Sequence, residues 1–166
     1  LAERDVSGEG QVVDTAIYEA VFALMESLIP DYLVAGHVRE RSGTTLPGIA
    51  PSNTYSTSDG SYVVMGANSD AVFRRLTVAI GRPELSDDGR FSTHTARGKH
   101  AAELDEFIEA WTSARTVEEC LHAFDSHGVP AGRIYSAKDI VNDPQYRARE
   151  MISNIEHPVL GTYPMP

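Results

Sequence analysis

An α+β fold is expected from three features of the sequence. Two strand-like runs flank an Asp-Gly pair at Asp59-Gly60, several amphipathic helical stretches follow in a row, and further strand-like segments come only late in the chain. That order differs from the regular strand–helix alternation of a parallel α/β sheet. With 166 residues, the chain is long enough for one domain with a real core.

From the N-terminus, "GQVVD" (10–14) reads as a short strand, and Asp14 or Thr15 as the cap of a helix in which Ile17, Val21, Leu24 and Leu28 recur at helical spacing until Pro30. Ala16, Ala20, Phe22, Ala23 and Met25 widen its apolar surface beyond one stripe. Such a helix needs cover on more than one side, from another domain or chain. An irregular link is expected over 31–45. The segment "LPGIAP" (46–51) then carries two prolines that restrict the backbone and a glycine free to take positive φ.

The runs "NTYST" and "SYVVMG" around Ser58-Asp59-Gly60 predict an antiparallel hairpin. Asn68, Ser69 and Asp70 supply capping oxygens for a helix with Val72, Phe73, Leu76, Ala79 and Ile80 inward, closed by Gly81 and Pro83. Asp87 and Asp88 before Gly89 mark a turn. A helix over 97–112 places Leu104, Phe107, Ile108 and Trp111 on one face, and Glu103, Asp105, Glu106 and Glu109 on a solvated one. Thr116 with Glu119 forms a capping box for a helix that Gly128 and Pro130 end. "GRIYS" (132–136) reads as a strand, Ser136 with Asp139 as a capping pair, and Asp143-Pro144 as an N-cap with proline at the first helical position. "MISNIEHPVLGTY" reads as strand, turn and extended piece.

Composition excludes several roles. Fourteen basic against 24 acidic residues give a net charge of −10, with no lysine-rich run, which argues against nucleic acid as partner. No apolar stretch is long enough for a membrane span, and the start has no signal-peptide layout. The single cysteine, Cys120, falls on the apolar face of a helix and reads as a buried thiol in a reducing, cytoplasmic setting. The first residue is not methionine and the last segment is punctuated by proline, so both ends are expected to be cuts in a longer protein.

No nucleotide loop, His-Glu-x-x-His, paired cysteines or nucleophile elbow occurs. The histidines, His94/His100 and His122/His127 included, are not spaced as metal ligands, so no metal site is expected; His127 before Gly128 suits a helix C-terminus. Asp14 reads as a cap rather than a catalytic carboxylate. Residue chemistry alone shows no active site.

Taken in order, "GEGQVVDTAIYEA", "RSGTTLPGIAPSNTYSTSDGSYVVMGANSDAVFRRLTVAIGRPEL", "DDGRFSTHTARGKHAAELDEFIEAW", "HGVPAGRIYSAKDIVNDPQYRARE" and "EHPVLGTYP" resemble the class III (CaiB/BaiF) CoA-transferase family. The similarity runs over nearly the whole chain. It implies a larger enzyme whose Rossmann-like domain binds CoA, with coenzyme A as part of the substrate rather than a resident cofactor. Residues 1–44 would be the strand and helix leaving that domain, 45–140 a small α+β domain, and 141–166 the returning linker. Two full-length chains would interlock as a homodimer acting on acyl-CoA and carboxylic acid substrates.

In such transferases an aspartate of the large domain attacks the thioester, which is covalent catalysis by a carboxylate. The related α-methylacyl-CoA racemases exchange an α-proton by acid–base chemistry. Both sets of groups would lie upstream of Leu1, so no catalytic residue is assigned here. The resemblance carries one element across: Pro47, Gly48, Ile49, Ala50 and Pro51 as a substrate-facing loop. A single glycine, where some transferases have a glycine-rich lid, implies a stiffer, more apolar wall. Proline is more usual in the family at the place of Gly89. A racemase of the same fold and a non-catalytic α+β binding module are the alternatives.

Overall fold

A computed structural model describes residues 2–25, 28–159 and 161–165. It divides into two compact units, Leu1–Arg41 and Ser42–Pro166.

The first unit holds three short helices, α1 (Ala2–Ser7), α2 (Ile17–Ala23) and α3 (Leu28–Ala35). The expected strand over 10–14 does not form. Val12 is 94% exposed and no neighbouring segment pairs with it; a strand needs a partner for its N–H and C=O groups. The expected single helix over 15–28 is also two helices. After Ala23 the backbone tightens, with the N–H of Leu24 donating to Val21 and that of Met25 to Phe22; residues 26 and 27 lie outside the described set. Pro30 does not terminate a helix but sits in the first turn of α3, where its missing N–H has no intrahelical partner to lose. The expected link over 31–45 therefore begins only at Gly36.

Neither Asp14 nor Thr15 caps α2. Ala16 holds the cap position, and the Glu19 carboxylate reaches back to accept from the Ala16 N–H at 2.9 Å, the half of a capping box that the third helical residue supplies.

In the second unit β1 (Ser52–Ser56) and β2 (Tyr62–Gly66) form the expected hairpin, with Tyr55 opposite Val63. Gly60 has φ +75° at the turn. The Asp59 carboxylate accepts from Thr57 Oγ1 at 2.6 Å, from the Ser61 N–H at 3.2 Å and from the Val117 N–H at 3.2 Å. One aspartate thus closes the hairpin and ties it to a helix 58 residues away.

A third strand, β3 (Ala131–Arg133), pairs antiparallel with β2 to give the order β1-β2-β3. It is shorter than the expected 132–136. The last bond on that side runs from the Ile134 N–H to the Tyr62 carbonyl, and Tyr62 begins β2, so the partner strand ends there. Alternation is clean in β2: Val63 and Met65 are buried, Tyr62 and Val64 exposed.

Helices α4 (Asp70–Ala79), α5 (His94–Lys99), α6 (Ala101–Thr112) and α7 (Val117–Ser126) complete the core. Ser69 caps α4, and the Thr116–Glu119 capping box opens α7 as expected. The expected helix over 97–112 is divided: Thr93 caps α5 through its side chain, and His100 ends α5 and starts α6. Phe73, Leu76, Phe91, Leu104, Ile108, Cys120 and Phe124 pack with Tyr55, Val63 and Met65. The rings of Phe91 and Phe107 meet edge to face, with centroids 6.2 Å apart.

Beyond β3, α8 (Ala137–Asn142) and α9 (Pro144–Ala148) start on the expected Ser136–Asp139 and Asp143-Pro144 signals. A separate hairpin of β4 (Ser153–His157) and β5 (Gly161–Met165) follows; Leu160, within the expected turn, lies outside the described residues.

Candidate functional site

The loop before β1 is built around a tight turn. The Ile49 N–H donates to the Leu46 carbonyl at 3.0 Å, and Gly48 has φ +76°. Proline followed by glycine is the pair a type II turn favours, because proline presets the first central residue and glycine tolerates positive φ at the second. The five residues divide by environment: Pro47 and Gly48 are exposed, Ile49 is half-buried, and Ala50 and Pro51 are buried. The Ala50–Pro51 peptide is cis. An exposed arm therefore projects from an anchored base.

Three contacts hold the loop, the first at its base. Arg97 of α5, whose side chain is fully buried, donates from Nε to the Ala50 carbonyl at 3.1 Å and from Nη1 to the Phe91 carbonyl at 2.9 Å. Its Nη2 donates to the Asn68 carbonyl and to Asp70 Oδ1, both at 2.7 Å, and the guanidinium lies over the Phe73 ring. A buried cation with its donors satisfied and an anion beside it is tolerated; unpaired, it would be costly. The Arg97 hydrogen bond holds the Asp70 carboxyl below its ordinary pKa.

At the other end, Thr44 Oγ1 donates to Asn53 Oδ1 at 2.5 Å, Asn53 Nδ2 to Asp105 at 2.9 Å, and the Tyr55 hydroxyl to Asp105 at 2.6 Å. Burial, then the Asp105 hydrogen bond, raises the Tyr55 pKa far above that of a free phenol, so the hydroxyl stays a donor. The third contact is steric. A Cβ built on Gly98 would stand 2.5 Å from the Gly48 carbonyl oxygen, so α5 and the loop approach as backbone against backbone.

Between loop, α5 and α6 lies a depression of about 290 Å³, lined by Pro47, Gly48, Ile49, Gly98, Ala101, Ala102 and Asp105 among others. It is near the lower end of small-molecule pockets. A shallower cleft of about 540 Å³ adjoins it along β1 and α6, and shares Ala102 and Asp105. The depression has a short apolar wall, with Thr45, Ser52 and the Asp105 carboxylate among its lining, the Thr45 hydroxyl donating to the Ser42 carbonyl at 2.7 Å. These groups can shape and orient a small ligand.

Sequence reasoning missed the supports of this loop. The helical pattern starts a helix at Arg97, and nothing in it shows that the side chain lies beneath the loop. Asp105 and Glu109, expected on a solvated face, instead turn toward β1, Glu109 accepting from the Ser56 N–H at 3.1 Å and from its hydroxyl. Their spacing of four residues was the available signal, since it puts both on one helical face.

Other candidates are quiet. Burial pushes the Cys120 thiol up to about 11. His127 Nδ1 lies 2.8 Å from the Ala123 carbonyl at the end of α7. Asp88 accepts from the Arg90 N–H, and its Arg90 hydrogen bonds bring its carboxyl down to about 2. Among the described residues no group of three His, Cys, Asp or Glu could hold a metal, and no helix is long and apolar enough to cross a membrane.

This α+β unit, with a hairpin and a hollow beside the preceding loop, belongs to a chain that matches a known family along its length. The model of CoA-transferase family III matches residues 1–166, and the chain belongs to that family. It is 54% identical over 165 residues to the succinyl-CoA–D-citramalate CoA-transferase of Chloroflexus aurantiacus, covering 99% of this chain and 41% of that protein. It is 33% identical over 150 residues to the succinate–glutarate CoA-transferase of Agrobacterium fabrum, covering 90% of this chain and 37% of that one. The crystal structure of a CaiB/BaiF family protein from Brucella suis superposes with a TM-score of 0.72 at 30% identity, over 98% of this chain and 45% of that chain. The chain thus spans about two-fifths of the length of the curated relatives it matches.

Proposed function

We propose that the chain supplies the small domain and substrate-side wall of an acyl-CoA:carboxylate CoA-transferase, with succinyl-CoA as donor and a small di- or hydroxy-dicarboxylic acid as acceptor. The observation that carries this reading is the 54% identity to a succinyl-CoA–D-citramalate CoA-transferase across nearly the whole chain. Residues 1–44 and 141–166 act as linkers to a CoA-binding domain, and 45–140 form the small domain. Pro47, Gly48, Ile49, Ala50 and Pro51 face the substrate. Coenzyme A enters as part of the substrate, and the working form is a cytoplasmic, interlocked homodimer. The nucleophilic carboxylate belongs to the CoA-binding domain, and none of the groups around this loop has that role.

The test uses the full-length enzyme with succinyl-CoA and citramalate, malate or glutarate in deuterated water. Acceptor-dependent appearance of the new acyl-CoA with free succinate is expected. Uptake of α-deuterium into an acyl-CoA without any acceptor would overturn transfer in favour of racemisation.

A further inference from the structure

Two consecutive residues of α5 touch the loop in different ways. Arg97 bonds the Ala50 carbonyl and fixes the base, whereas Gly98 lies against Gly48 in the exposed arm. The Gly98 backbone does not have positive φ, and it lies in a helix where alanine is intrinsically favoured over glycine. Local conformation therefore gives no reason for a glycine there. The close approach of Gly48 does: a Cβ would stand 2.5 Å from its carbonyl oxygen and 2.9 Å from its carbonyl carbon. Both are backbone atoms that cannot rotate away.

Gly48 and Gly98 also share the wall of the 290 Å³ depression, and Ala101 and Ala102 continue it one turn further on. The distance between α5 and the loop arm thus sets the width of a hollow sized for a short carbon chain rather than for a coenzyme. One methylene in an apolar pocket changes discrimination by roughly 10–200-fold. A methyl group at Gly98 requires the arm to move, since 2.5 Å is far inside an ordinary carbon–oxygen contact.

We infer that Gly98 is a positioning residue for acid selection: by admitting Gly48 into contact with α5 it holds the loop arm close, and so limits the length of the acid accepted. This rests on the reading that the loop faces the substrate. A methyl group at Gly98 lifts the arm outward and shifts preference toward longer acids, while Arg97 keeps the base in place.

The experiment compares full-length wild type, Gly98→Ala and Lys99→Ala, the last an exposed neighbour outside the contact. Acceptor acids of four, five and six carbons are assayed with succinyl-CoA, alongside thermal midpoints and amide exchange at Ile49. For Gly98→Ala the kcat/KM ratio of six- to four-carbon acceptors should rise about fivefold or more, mainly through KM, with faster exchange at the Ile49 N–H. Lys99→Ala should match wild type. An active Gly98→Ala enzyme with the wild-type acceptor ratio overturns the inference and leaves the transferase reading intact. A wild type that transfers CoA to none of the acids overturns both. A Gly98→Ala midpoint that falls with the acceptor ratio unchanged also overturns the inference, because the contact is then only structural.

Discussion

Val34 of α3 is 88% exposed and Leu104 of α6 is 0% exposed, though both lie in helices with apolar surface. In residues 1–41 no described side chain is buried, and Tyr18, Phe22, Leu24, Tyr32, Leu33 and Val34 all face outward. Helices α4, α6 and α7 of the second unit each bury one stripe in a core shared with Tyr55, Val63 and Met65 of β1 and β2. Helices of six to eight residues are too short to persist on propensity alone, and α1 to α3 bury no described side chain. The contrast separates a core that is complete within its own unit from a segment whose apolar faces are open.

The largest break of that contrast is a hole in the core. Phe124→Ala, which empties the site against Trp111, should cost about 3–5 kcal/mol in urea unfolding; an unmoved midpoint would mean that the second unit is not the stable one. Next is Arg97→Met, which leaves the carbonyls of Ala50 and Phe91 without their donor. A loss of roughly 3 kcal/mol is expected, in the range for breaking a buried charged network, and a neutral result would show that the base of the loop is held by other contacts. Thr116→Ala removes the side-chain cap of α7 and should cost about 1 kcal/mol by the same measurement.

Acid should act on the second unit through several small steps. The hydrogen bond from Thr57 lowers the Asp59 pKa, those from Arg97 and Arg90 lower Asp70 and Asp88, and that from the Thr116 backbone lowers Glu119. A carboxylate whose pKa is lower in the folded state stabilises the fold while ionised. The contribution is whole above the unfolded values near pH 4 and is lost as pH falls through the lowered folded values, the last of it near 2, where Asp88 titrates. Because these groups are solvent-accessible, each step is small. Unfolding midpoints measured from pH 6 to 2 should be level at first and then decline; a decline that begins above pH 5 would point to groups other than these.

The smallest effect is expected in the open segment. Val34→Ser in the isolated chain should change stability by less than about 0.5 kcal/mol, as for surface substitutions generally. A cost near that of the core variant would show that α3 is packed after all.

The legible parts of the fold share one property. Thr116 with Glu119, Ser136 with Asp139, Asp143 before Pro144, and Asp59-Gly60 between two β-prone runs each act over three or four neighbouring residues, and each appears where expected. Misreadings came where a segment depends on a distant partner. Residues 10–14 have strand composition but pair with no described segment, and the apolar run over 15–28 is long enough for one helix yet divides near Leu24. In the loop the sequence foretold the turn, because proline and glycine set φ by their own covalent structure. It did not foretell what holds the turn in place.

By itself, then, the sequence determined the α+β class, the caps of α4, α7, α8 and α9, the hairpin and the family, all written in short-range stereochemistry or in the succession of motifs. Only the tertiary structure decided that Arg97 is buried beneath Ala50, that Asp105 joins Asn53 and Tyr55 across about fifty residues, and that Gly98 meets Gly48. These contacts arise when separate elements are packed to near-crystalline density, and no local pattern encodes which atoms then meet.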